Sequence, residues 1–482
     1  MNPNLAEGVA ENDRKLRSTD QKTQIGHLKE GRPDPLSFDM LACLQQRPPI
    51  NSAPTPRAPA GPSGRFPHWV WAVLACGAML PFLPFVGLPL ISDDYSQWFF
   101  ARRYINIAGL PHLAGDVLYR SRATSLLLTR ALDEVFGLSQ QPHVLAGLAL
   151  HAINVLLLFR VASALRARPA TALAAAGFFA VYSGHQEAIV WIASQHELLV
   201  FAFGAVTVLC WLRWLAEGGW WAWATMAAYV VTLYSKESGV VFLPLLSFLW
   251  WVSDRRDARR FWPLLAIGGL TFYYAWAIFQ SAALHQHLND GTFSFHAPFW
   301  ITLPTSLLRL LWPAGLAALP LVWFSRDAGV RRMAMGALGW MAVALGPYVF
   351  LTYQMRVPSR HTYLAAAGLA LLLGLAVQSL AGLAIPRPRV AAAAACVLFA
   401  AGNVLNLWTR KLPQFERRAE ATERFLRAAR NLDEPIEIRR GPFPIWVYQH
   451  AAAIALGRPP ETVQPVGSAP AHSFSYSDSD RP

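Results

Sequence analysis

Apolar residues in this chain of 482 residues gather into runs rather than alternating with polar ones. Eight runs are long enough to cross a hydrocarbon core of about 30 Å. They fall near residues 69–91, 142–164, 188–215, 261–283, 299–325, 333–352, 362–385 and 390–408. Shorter runs near 170–184, 219–234 and 238–252 bring the prediction to about eleven transmembrane helices. The longest polar stretch between spans, from Ser92 to Gln141, is about 50 residues. The pattern predicts an all-α membrane protein, a polytopic helical bundle with a long first loop.

Composition agrees. With 54% hydrophobic and only 15% charged residues, the chain has too little polar surface for several soluble domains. A net charge of +13 would suggest nucleic acid in a soluble protein, but here most of the excess lies between apolar runs. With the N-terminus in the cytoplasm, thirteen arginines from Arg160 to Arg389 fall in inner loops, whereas the short outer loops hold only Lys236, Arg356 and Arg360. The expectation is a multi-pass cell (inner) membrane protein with an extracytoplasmic C-terminus and no nucleic-acid partner. Residues 1–67, rich in Pro, Ser and Gln, read as a disordered cytoplasmic segment. Residues 68–408 form the membrane domain and 409–482 an extracytoplasmic segment with a loose tail. The four cysteines are scattered and suggest neither a disulfide framework nor a zinc site.

Nine of the thirteen acidic residues between 67 and 408 belong to the predicted outer face. Asp93 and Asp94 follow the first span directly. Two adjacent, partly buried carboxylates cannot both ionise cheaply, so one acquires a raised pKa suited to a general base; a helix-end cap is the other reading. The same loop carries Arg102, Arg103, Arg120, Arg122 and Arg130, which either meet an anion or pair with Asp116, Asp133 and Glu134. In the hairpin Ser183 to Gln195, helical spacing would put Glu187, Trp191 and Gln195 on one face. His185 and His196 among glutamates match no tight metal spacing. Lys236 and Glu237 form either a neutral pair or part of a phosphate site. Arg356, Arg360 and His361 stand at the mouth of a span, where guanidinium forks suit phosphate. Arg309, in the middle of an apolar run, faces a polar cavity or lies on a re-entrant or surface helix.

Taken together, Asp93-Asp94-Tyr95, Tyr119-Arg120, Leu150 to Leu157, His185 to Ile192, Lys236-Glu237-Ser238-Gly239 and Ser359 to Leu364 resemble the GT-C membrane glycosyltransferases. The likeness is to protein O-mannosyltransferase-like and bacterial polyprenol-dependent members. Ser121 and Gln186 replace prolines usual in those motifs, and no tetratricopeptide array follows the last span. The resemblance implies transfer of mannose or a similar hexose from a polyprenyl-phosphate donor to an acceptor hydroxyl on the extracytoplasmic side, with inversion. It implies Asp93 or Asp94 as base and Arg120, Arg122, Lys236, Arg356 and Arg360 as holders of the donor phosphate. His185, Glu187, Glu197, Glu237 and His361 would orient sugar or acceptor, and His151 and Asn154 would pack helices. The acceptor is left unidentified, no cofactor is required and a divalent metal is not favoured. The competing readings are a transporter or lipid flippase, and a non-catalytic polymer-assembly partner; no internal repeat of the transporter kind stands out.

Overall fold

The computed structural model describes residues 67–253, 257–352, 355–432, 435–465 and 472–476. The expected N-terminal segment up to 66, Asp254, Arg255, Arg256, Tyr353, Gln354 and most of the final tail lie outside the described residues.

Helices of ten residues or more are numbered in chain order. They are α1 (His68–Met79), α2 (Asp94–Tyr104), α3 (Ala123–Phe136), α4 (Gln140–Ala164), α5 (Pro169–Val181), α6 (His196–Glu217), α7 (Trp221–Leu233) and α8 (Phe242–Val252). There follow α9 (Trp262–Gln280), α10 (Phe299–Leu311), α11 (Ala314–Trp323), α12 (Ala328–Leu345), α13 (Tyr363–Ala381), α14 (Pro388–Asn406), α15 (Leu412–Ala429) and α16 (Ile445–Leu456). Their ends follow local chemistry. Pro169 opens α5 and Pro388 opens α14 at positions where the missing N–H costs no helical bond. Gly137 at φ 65° and Gly218 at φ 74° end α3 and α6 in a backbone region that L side chains resist.

Among the described residues, six helical segments are long and apolar enough to cross a membrane, and a seventh if α10 and α11, bent by 86°, count as one span. The segments α5, α7 and Glu237–Val252 are apolar but only 10–17 residues long, so the expected eleven depends on counting them as crossings. The run expected as a span near 333–352 became α12, which has Arg331 and Arg332 in its first turns and falls outside the six.

The bundle closes around α13, almost wholly buried. A side chain at Gly368 would sit 2.5 Å from the Ala337 carbonyl, and one at Gly374 2.6 Å from the Thr171 carbonyl, so bare backbone lets α12 and α5 approach it. Polar groups lock the same helix. The Tyr363 hydroxyl meets His151 Nδ1 at 2.8 Å and Asn154 Nδ2 at 3.2 Å, the packing contacts anticipated for that pair. Apolar side chains on outer helices, such as Phe272 and Leu398, each 73% exposed, form a lipid-facing surface.

Beyond α14 a single π turn, Leu407–Lys411, leads into the polar α15. A small parallel sheet follows, with strands β1 (Ile436–Arg440), β2 (Val463–Pro465) and β3 (His472–Ser475) in the order β2-β1-β3. The sequence pattern marked this stretch only as part of the segment 409–482, because strands of three to five residues leave too short an alternation to recognise. This layer packs on the first loop. His450 of α16 stacks on Phe99 at 4.2 Å and bonds Ser96 at 2.9 Å, and one apolar cluster joins Tyr95, Trp98 and Ile192 to Phe425, Ile436 and Tyr448.

Candidate active site

The aspartate doublet is divided by its environment. Both Asp94 oxygens are taken by backbone: Oδ2 accepts the Ile91 N–H at 3.1 Å and Oδ1 the Ala193 N–H at 2.9 Å. Asp93, at the N-cap of α2, accepts the Trp191 indole N–H on Oδ1 at 2.8 Å, and its own backbone N–H also bonds the carboxylate. Burial raises the pKa of both, and for Asp94 the neighbouring Asp93 charge raises it further. Arg360, the Trp191 bond and Arg122 oppose the rise at Asp93. Asp94 is thus held by backbone on both oxygens, while Asp93 meets the Trp191 side chain.

Trp191 reaches Asp93 because the helix predicted through 187–195 breaks there. A short helix, Gln186–Val190, stops; Trp191 is extended at φ −79°, ψ 107°, and a 3-10 turn leads into α6. Asp94 accepts the N–H of Ala193 exposed by that break. The long-range pairing overrides local helical spacing, so Glu187 and Gln195 do not share a face.

Two guanidiniums flank the indole, with Arg360 Cζ at 4.8 Å and Arg418 Cζ at 5.5 Å from the ring centroid. Arg418 Nη1 also donates to Glu187 Oε1 at 2.8 Å. Glu187 Oε2 accepts from the Ser359 hydroxyl at 2.5 Å and the Arg360 N–H at 3.1 Å. Burial alone would raise the Glu187 pKa, but Arg418, Ser359 and Arg360 together hold it below the usual value. Glu187 is therefore the counter-charge that arranges arginines, which differs from the sugar-orienting part expected of it. Arg360 has no carboxylate partner among the described residues.

Positive charge continues outward. Lys411 lies within electrostatic range of Glu187, Arg309, Arg418 and Arg356. Arg309 donates to the Val357 carbonyl at 2.9 Å and, with Arg356, lines a cleft of about 760 Å³ whose other walls are Thr305, Leu308, Trp312 and Met355. Arg309 sits near the bend between α10 and α11 and lines this mainly apolar cleft. Arg418 and Lys411 were missed from the sequence because they lie on a polar stretch past the last apolar run. The expected boundary at 408 divides this cluster.

The remaining candidates form a second polar group. Lys236 pairs with Glu197, not with its neighbour Glu237, and Glu197 also receives His361 Nδ1 at 2.6 Å and the Tyr348 hydroxyl at 3.0 Å. Burial lowers the Lys236 pKa to about 8 against the pull of Glu197. Lys236, Glu197 and His361 are thus buried and paired with one another. Glu237 instead faces Arg122 at 3.6 Å. Arg120 turns back to the Ala114 carbonyl at 3.2 Å, away from the doublet. His185 is fully buried in an aromatic cage of Phe179 at 4.4 Å, Tyr363 at 4.5 Å and Tyr182 at 5.2 Å, a packing environment. Arg102 and Arg130 are neutralised by Asp133, as one reading of the first loop anticipated. Among the described residues no group of three His, Cys, Asp or Glu is arranged to hold a metal ion.

No family model matches the chain, and no curated protein matches it. Among solved structures it is similar to ArnT from Cupriavidus metallidurans bound to undecaprenyl phosphate, with TM-score 0.52 and 13% identity, over 83% of this chain and 86% of that one. It is also similar to the archaeal oligosaccharyltransferase AglB from Archaeoglobus fulgidus in complex with an inhibitory peptide and a dolichol-phosphate (TM-score 0.48, 13% identity, 80% of this chain and 64% of that one). A further match is the Archaeoglobus fulgidus oligosaccharyltransferase tethered to an acceptor peptide (TM-score 0.47, 12% identity, 83% and 64%). The likeness to ArnT is one of architecture: the chain shares its polytopic helical fold.

Proposed function

We propose that this protein is a membrane glycosyltransferase that moves mannose or a similar hexose from a polyprenyl-phosphate donor to an acceptor hydroxyl on the extracytoplasmic side, with inversion. One observation carries the reading: Asp93 shares the Trp191 ring with Arg360 and Arg418. A base and a phosphate-binding pair thereby stand on a common support. The cleft lined by Leu308, Trp312, Met355, Arg309 and Arg356 suits an isoprenoid chain with a phosphate at its end. ArnT, which has this fold, was solved with undecaprenyl phosphate bound.

In this mechanism Asp93 takes the proton from the acceptor hydroxyl as its oxygen attacks the anomeric carbon. The bond from that carbon to the phosphate oxygen breaks, and its electron pair leaves with the polyprenyl phosphate. Arg360, Arg418, Arg356 and Lys411 stabilise the charge that grows there. Arg309 spends one N–H on the Val357 carbonyl and adds a fixed positive charge at the cleft. Glu187 holds the arginines in place. The N-terminus is assigned to the cytoplasm and the C-terminal layer, which packs over the first loop, to the outside.

The test is reconstitution of the full chain in liposomes with a ¹³C-mannosyl polyprenyl phosphate, following phosphate-lipid release and the configuration of the product by NMR. Sugar transfer with inverted configuration is the expected result. Retention, or movement of lipid or solute with the donor intact, overturns the assignment.

A further inference from the structure

The other end of the bundle carries a second cleft. α12 runs from its N-cap at Asp327 to Leu345, and Tyr348 just beyond it bonds Glu197 at 3.0 Å and stacks on His361 at 4.4 Å. The 18 residues of α12 span about 27 Å, close to a hydrocarbon core of about 30 Å, so its first turn lies roughly a membrane's thickness from those polar groups. There a groove of about 330 Å³ opens between α11 and α12. Leu319, Trp323, Phe324, Met335 and Leu338 give it apolar walls, and Arg331 completes the lining. Trp323 is 57% exposed and Phe324 80%.

Three exposed arginines gather beside this groove: Arg326 in the connection between the two helices, and Arg331 and Arg332 in the first turns of α12. The acid among them is already engaged. Asp327 Oδ1 accepts the Gly329 N–H at 2.8 Å, and Oδ2 accepts from Arg168 Nη2 at 3.1 Å. Arg326, Arg331 and Arg332 therefore have no carboxylate partner among the described residues. Arg331 donates from Nη1 to the Ser325 carbonyl, which fixes its guanidinium at the groove and leaves its other N–H groups for a ligand. Arginines in a first turn also add to the positive end of the helix dipole instead of offsetting it.

The groove is thus apolar along its walls and cationic at one end. Free phosphate would satisfy the arginines and leave Trp323 and Phe324 bare. A second copy packed through the same face would bring two arginine sets together. A zwitterionic lipid supplies a phosphate but sets its own ammonium among three guanidiniums. We propose that the groove between α11 and α12 binds a phospholipid of net negative charge. Its phosphate sits on Arg331 with Arg326 and Arg332 alongside, and an acyl chain lies against Trp323, Phe324 and Leu338. In the orientation assigned above, that lipid belongs to the cytoplasmic leaflet. The site is distinct from the cleft at Arg309 and does not depend on the glycosyl-transfer reading.

The experiment is native mass spectrometry of the full chain in detergent, titrated with phosphatidylglycerol or with phosphatidylcholine of the same acyl chains. The first phosphatidylglycerol is expected to bind about tenfold or more tightly than the first phosphatidylcholine. Arg331→Gln combined with Arg332→Gln is expected to bring the two lipids within about twofold of each other. Arg326→Gln combined with Arg332→Gln spares the Arg331 bond to Ser325 and is expected to remove most of the preference, which separates lipid binding from local misfolding. Arg387→Gln combined with Arg389→Gln, an exposed basic pair outside the groove, should leave the preference intact. Equimolar inorganic phosphate should not displace the lipid. Equal affinity for the two lipids in the wild type, a preference that survives both groove variants, an equal loss in the Arg387 and Arg389 variant, displacement by phosphate, or a dimer that excludes lipid overturns the inference.

Discussion

The indole N–H of Trp191 donates to Asp93 Oδ1 at 2.8 Å, while the faces of the same ring carry Arg360 and Arg418. One side chain thus couples the proposed base to the proposed phosphate holders. Trp191→Phe keeps a ring for the arginines and removes the hydrogen bond. A bond to a charged acceptor contributes about 1.5 to 3 kcal/mol, so kcat is expected to fall roughly tenfold to a hundredfold. Because that bond favours the ionised carboxylate, its loss also moves the acid limb of the rate profile to higher pH. A pH series of donor turnover checks both.

The wild-type pH profile has a predicted sign of its own. Burial raises the Asp93 pKa, and a base works only when ionised. Activity is therefore expected to fall on acidification with a midpoint above the ordinary carboxylate range. A midpoint at or below that range would speak against Asp93 as the titrating group.

Asp94→Asn should behave differently from a change at Asp93. It is expected to leave the acid limb near its wild-type pH, because the Asp93 charge raises the Asp94 pKa whereas Asp94 is not among the groups that shift Asp93. It also turns an amide toward one of the N–H groups of Ile91 and Ala193, costing about 1 to 3 kcal/mol of stability. Thermal unfolding in nanodiscs and the pH–rate profile check the two expectations.

Arg418→Ala removes the guanidinium that pairs with Glu187 and stacks on Trp191. The expected result is a rise in the KM for the polyprenyl-phosphate donor of roughly tenfold or more, from loss of a charge-assisted contact and of Glu187's alignment. The acceptor KM should change little. Initial-rate kinetics with each substrate varied in turn decide the matter.

Glu197→Gln leaves Lys236 buried without its counter-charge. Breaking a buried pair typically costs about 3 to 5 kcal/mol, so a large fall in Tm is expected. Adding Lys236→Met should recover part of it, because the orphaned charge is then gone. Equal destabilisation in the single and double variants would mean that the pair is not the stabilising unit.

Much of this was legible in the sequence. Long apolar runs disclosed the helical bundle, and the acid-rich loops marked the segments that meet around the proposed site. The motifs around Asp93, His185, Lys236 and Arg360 named the segments that converge. Pairing was not legible, since Lys236 finds Glu197 across the bundle rather than the adjacent Glu237. Spacing alone made Glu187 and Gln195 helical neighbours, whereas Asp93 and Asp94 hold the chain open at Trp191. Arg418 and Lys411 stayed hidden because a polar helix beyond the last apolar run carries no sign that it folds back onto Glu187. His185 lies among aromatic rings with both ring nitrogens buried, a surrounding that its motif did not disclose.

The most direct measurement is single-turnover sugar transfer by Asp93→Asn, with donor affinity recorded on the same preparation. Loss of the general base is expected to slow transfer about 10²- to 10⁴-fold while donor binding stays close to wild type, because the arginines around Trp191 remain in place. Transfer at the wild-type rate by a correctly folded Asp93→Asn protein would contradict the account.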